Sequence, residues 1–86
     1  MKIVIHQKFL AEAGNLPRTI QGKLSHLLET LELNPFHPLL HTKRLHGDLA
    51  GFLSFRITRD WRVVFFFEDN DTIFVLKVRH RKDIYR

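Results

Sequence analysis

Arg56, Arg62, Arg79, His80, Arg81 and Tyr85 are the residues of this chain whose types could do chemistry together. An arginine fork donates two parallel, charge-assisted hydrogen bonds, the pattern a phosphate oxygen pair accepts. An imidazole exchanges protons near neutral pH. A phenol stacks on an unstacked base or passes a proton. Such a set suits gripping a phosphodiester and moving protons around it. Lys43, Arg44 and Lys82 add positive charge to the same half of the chain, and Asp60 adds a carboxylate. Each residue alone has a plainer reading. Arg56 can be a solvated charge, Arg62 a partner of Asp60, His80 a surface imidazole and Tyr85 a packing plug. The chemistry depends on their convergence.

Three strands must bring them together, at about 52–57, 61–67 and 72–78. Alternation puts Leu53, Phe55 and Ile57 on one face, with Ser54 and Arg56 on the other. Trp61, Val63, Phe65 and Phe67 then share a face opposite Arg62, Val64 and Phe66. Arg56 and Arg62 therefore lie on one open face, and the third strand delivers Arg79, His80, Arg81 and Tyr85 to its end. Val64 and Phe66 on that face need a cover, from the chain's own tail or from another protein.

Ahead of these strands, residues 2–6 read as a short strand and 7–13 as a short helix, with Gly14 suited to its C-terminal cap. A second helix begins near Pro17. Ile20, Leu24, Leu27, Leu28 and Leu31 make its buried stripe, and Asn34-Pro35 stops it. Residues 35–51 are irregular, punctuated by Pro35, Pro38, Gly47 and Gly51. The order β-α-α-β-β-β predicts an α+β fold, two helices packed on a mostly antiparallel sheet of about four strands. His37, His41 and His46 in the irregular segment lack helical spacing and carry no acidic or Cys ligand, so no metal site is expected.

With 86 residues, one domain spanning 1–86 is expected. The absence of Cys excludes a disulfide framework and a catalytic thiol, and fits a reducing, cytoplasmic setting. No apolar run is long enough for a membrane span. The net charge of +5 is uneven, with +1 in residues 1–42 and +4 in 43–86. A basic half points to a phosphate-rich partner.

The run KRLHGDLAGFLSFRITRDWRVVF (43–65) followed by VLKVRHRKDIYR (75–86) resembles the RelE/ParE superfamily, the toxins of type II toxin–antitoxin modules. The helical spacing from Leu16 to Leu31 is similar too, so the likeness covers nearly the whole chain. It implies a metal-independent endoribonuclease without cofactors, cutting mRNA on the ribosome and silenced by a cognate antitoxin. It assigns catalytic roles to Arg62, Arg81 and Tyr85, as in RelE. His80 falls near the C-terminal His of YoeB and YafQ, and Asp60 matches an Asp of YafQ. Lys43, Arg44, Arg56, Asp60, Arg79 and Lys82 would contact substrate.

RNA cleavage needs the 2′-OH proton removed, a dianionic phosphorane stabilised and the 5′-oxygen protonated. Arg62 and Arg81 suit the phosphorane charge. Either His80 or Tyr85 can be the base, with the other the acid. The ParE branch shares the fold, lacks a set of RNase residues and blocks DNA gyrase. Retention of Arg62, His80, Arg81 and Tyr85 together favours the nuclease. On either branch, Val64, Phe66 and the basic rim would fit an acidic, amphipathic antitoxin segment.

Overall fold

The computed structural model describes residues 1–84. Its elements run β1 (Lys2–Ile5), α1 (Gln7–Gly14), α2 (Arg18–Leu33), β2 (Lys43–Arg44), β3 (Leu53–Arg56), β4 (Trp61–Phe67), β5 (Thr72–His80) and α3 (Arg81–Ile84). Single turns of 3-10 helix at Pro38–Leu40 and Gly47–Leu49 punctuate the segment before β3. The five strands form one sheet in the order β1-β5-β4-β3-β2. Every neighbouring pair is antiparallel except β1 and β5. This is the expected α+β arrangement with one strand more than expected. β2 has only two residues, too few for any periodicity to show, and it exists because it can pair with Leu53 and Ser54.

The stripe on α2 folds as the spacing predicts, with Leu24, Leu27 and Leu31 buried and Ile20 and Leu28 packed beside them. Asn34 ends the helix by returning its N–H to the Thr30 carbonyl at 2.8 Å, and Pro35 cannot extend it. α1 starts at His6, whose Nδ1 accepts the Lys8 N–H at 3.0 Å. Gly14 is the last residue of α1, not a left-handed cap, and Asn15 caps the helix with an ordinary αR backbone.

The helices cover one face of the sheet. Phe9, Leu24, Leu27 and Leu31 meet Leu53, Phe55, Val63, Phe65, Ile73 and Val75, all buried. Each such large side chain taken out of water contributes about 1.5–3 kcal/mol, so this layer anchors the strands that carry the charged residues. The second face has its own smaller cluster of Leu45, Val64 and Ile84, flanked by Leu49 and Phe52. The cover that Val64 needs therefore comes from the chain itself, through the segment before β3 and the C-terminal turn α3. Phe66 stays half-buried, edge-on to Phe52 at 5.6 Å and stacked on Phe74 at 5.2 Å. Among the described residues, no helix is long and apolar enough to cross a membrane.

Candidate active site

Strand register puts Arg56 opposite Arg62 and Arg62 opposite Arg79, so three arginines form one row across β3, β4 and β5. Directly opposed residues share a face. The expectation that Arg56 and Arg62 share a face therefore holds. The expectation that Arg62 is open does not.

Arg62 is buried, with 4% of its surface exposed. Its Nε donates to the Ser54 hydroxyl at 2.8 Å. One terminal nitrogen donates to the His41 carbonyl at 2.6 Å and to the Ser54 carbonyl at 3.2 Å. Ser54 lies diagonally across β3 from Arg62, within reach of a long side chain. A serine there leaves room for the guanidinium and supplies an acceptor. His41 holds the left-handed backbone at φ 47°, which turns the chain out of the Pro38–Leu40 turn. Arg62 thus ties the segment before β2 onto the sheet.

His80 lies on the other face. It pairs across the sheet with Trp61, and its ring meets the indole edge-on at 5.3 Å. Its Nδ1 accepts the Lys82 N–H at 3.3 Å, which places the proton of the neutral ring on Nε2. A cavity of about 340 Å³ opens beside it, lined by Glu12, Trp61, Arg79, His80 and Asp83 among others. Arg79 is committed to this edge. Its guanidinium pairs with the Glu12 carboxylate, which also accepts the Val78 N–H at 3.2 Å, where β5 outruns the shorter β1. Arg81 pairs with Asp60 at 3.5 Å, and its own N–H donates to the Asp60 carbonyl at 2.8 Å. Asp60 therefore serves Arg81 and not Arg62.

The remaining expected site residues are dispersed. Lys43 and Arg44 are exposed on the edge strand β2, where pairing with Ser54 and Leu53 sends them to opposite faces. Arg56 is exposed at the end of β3, and Lys82 is exposed in α3. Tyr85 lies outside the described residues. The expected single concave site is thus divided into a buried Arg62, a His80 cavity at one edge and an exposed Arg56 at the far side.

Three residues that organise the site escaped the sequence reading. Ser54 carried a signal, since alternation already placed a small polar residue on the face of Arg62. Glu12 reaches Val78 and Arg79 from 66 and 67 positions away, and no local pattern reports that. His41 acts through its carbonyl, which its side chain does not advertise.

Residues 3–85 match the family described as ParE toxin of type II toxin–antitoxin system, parDE. Among curated proteins, no sequence matches. Several solved structures are similar. A YoeB/ParE toxin from Agrobacterium tumefaciens aligns at 25% identity and TM-score 0.78, over 94% of this chain and 99% of that one. YafQ from E. coli strain BL21(DE3) aligns at 13% identity and TM-score 0.79, over 99% and 98%. The toxin–antitoxin complex RelBE2 from Mycobacterium tuberculosis contains a chain at 23% identity and TM-score 0.76, over 93% and 96%.

Proposed function

The chain belongs to the ParE toxin family of type II toxin–antitoxin systems, within the RelE/ParE superfamily, and from that premise we propose an endoribonuclease that cuts mRNA on the ribosome. The observation that carries this reading is the cross-strand row Arg56–Arg62–Arg79, next to which β5 ends with His80 on the opposite face and Arg81 after it. Arg56 is the exposed member of the row, Arg62 is held by Ser54 and His41, and Arg79 is paired with Glu12. A guanidinium fixed on a rigid sheet is preorganised for a phosphorane, whose charge develops only in the transition state. His80 supplies the imidazole for proton transfer beside an open cavity, and Arg81 stands next to it in the chain. Tyr85 is the second proton-transfer candidate. The proposed chemistry uses side chains alone.

The partner that restrains such a toxin is proposed to be an acidic, amphipathic antitoxin segment. Val64 is already covered, so the apolar anchors are the stacked and half-buried Phe66 and Phe74.

A gyrase-directed activity without RNA cleavage is the second reading, favoured by one observation. Arg62, Arg79 and Arg81 are each satisfied by groups of this chain. The two readings separate experimentally. Wild type and His80→Ala are expressed in cells, and mRNA 5′ ends are mapped with and without active translation. The nuclease reading expects new ends within translated messages for wild type and their loss in His80→Ala. Inhibition of gyrase supercoiling by the purified chain, without new RNA ends, reverses it.

A further inference from the structure

A second cavity, of about 310 Å³, lies away from His80, between α2 and the end of β3. Lys23, His26 and Leu27 line it from α2, where their spacing places them on one helical face. Leu39 and His41 line it from the 3-10 turn and the residue after it. Arg56 and Ile57 close it from the sheet. The floor is apolar, with Leu27 and Ile57 buried and Leu39 presenting 57% of its surface to solvent. The polar lining is Lys23, His26, His41 and Arg56, and among the described residues no carboxylate lines the cavity.

The charges on this rim differ from those beside His80. Arg79 and Arg81 are neutralised by Glu12 and Asp60. Lys23 and Arg56 have no carboxylate partner among the described residues. His26 approaches Glu29 only at 3.9 Å, with both side chains more than two-thirds exposed. His41 is fixed in place because its carbonyl is held by the buried Arg62. The interior of the sheet therefore shapes a cavity whose rim is left with unpaired positive charge.

We propose that this cavity is a nucleotide subsite, holding one phosphate and its base from a single-stranded RNA. Lys23, His26 and Arg56 take the phosphate, and the exposed Leu39 packs against the base. The volume suits one small ligand, at the lower end of the range for such pockets. An amphipathic helix would need a groove with several successive anchors instead. The proposal rests on the RNA-directed reading above only for the nature of the strand. Its test measures binding, so it stands or falls independently of cleavage.

The test uses the isotope-labelled full chain and 2′-O-methyl hexauridylate, which cannot be cut through a 2′-OH. Amide shifts are expected at Lys23, His26, Leu39, His41 and Arg56. Lys23→Gln and Arg56→Gln should each weaken binding several-fold and lower the salt slope by about 0.7, the value for one phosphate contact on a single strand. Lys8→Gln, on the exposed surface of α1, removes the same charge elsewhere and should have the smaller effect. Equal weakening by Lys8→Gln would reduce the cavity to general charge attraction and overturn the proposal. Shifts confined to other surfaces overturn it as well. An acidic peptide that fills the cavity where RNA does not would also overturn it. RNA binding here in a chain that cuts no message would leave the subsite standing and remove only the nuclease reading.

Discussion

The Nε of Arg62 donates to the hydroxyl of Ser54 at 2.8 Å within a buried layer of the sheet. A residue assigned to catalysis by family resemblance is thereby also a structural tie, because the same guanidinium holds the His41 carbonyl. Activity lost on changing Arg62 has two possible physical sources, and they can be separated.

Ser54→Ala keeps Arg62 and removes one acceptor from it. A buried donor left without a partner costs about 1–3 kcal/mol, and urea denaturation should show a loss in that range. Arg62→Lys keeps the charge but lacks the planar fork that reaches Ser54 and His41 together. Denaturation midpoints for both variants, measured beside RNA cleavage, expose the structural share. A Ser54→Ala midpoint equal to wild type would show that the bond to the Ser54 hydroxyl contributes nothing to stability.

Glu12→Gln retains an oxygen for the Val78 N–H while removing the charge paired with Arg79. Both partners are a quarter exposed, so stability should change by no more than about 1 kcal/mol. Arg79 is then released for phosphate. RNA affinity should rise, and its salt slope should steepen by up to about 0.7. Unchanged affinity and slope would mean that Arg79 does not reach RNA even when freed.

Ile84 joins α3 to the cluster with Leu45 and Val64. Ile84→Ala should destabilise the chain by about 2 kcal/mol, at the low end for such core truncations because the site lies near the chain's end. Hydrogen exchange should quicken at Arg81 to Ile84 before it does in β4. Uniform acceleration across the sheet would show instead that the turn and the sheet open as one unit.

Asp69 sits in the turn between β4 and β5, where its carboxylate accepts the Asp71 N–H at 2.8 Å. That bond, with a smaller one from the Thr72 side chain, holds its pKa below the ordinary value of 3.8. A depressed carboxylate stabilises the fold fully above its unfolded pKa, and the contribution is lost as pH falls through the folded pKa. The stability difference between wild type and Asp69→Ala should therefore be constant near neutrality and shrink in acid below about pH 4. A pH series of denaturation midpoints checks this, and a difference independent of pH would exclude the carboxylate as its source.

The periodic part of the fold was legible in the sequence because burial on one side imposes a period. The leucines of α2 repeat with the helical turn, and Leu53, Phe55, Val63 and Phe65 repeat with the strand. Alternation also placed Arg56 and Arg62 on one face, since a strand leaves no other choice. β2 and α3 carry too few residues for any period, and they form because Leu53 and Ser54 pair with β2 and Val64 packs with Ile84 of α3.

Parity fixes a face but not its exposure, and here the tertiary structure decided the chemistry. The sequence by itself determined which residue types could hold a phosphate, that their charge gathers in the second half of the chain, and that two arginines share a face. Only the folded chain decided which of those charges remain available. Arg62 is desolvated by Ser54 and His41, Arg79 is claimed by Glu12 and Arg81 by Asp60. Arg56 is left to join Lys23 and His26 from a helix more than twenty-five positions earlier in the chain. Partners so distant in sequence meet only through the packing of helix on sheet, and no local pattern records that meeting.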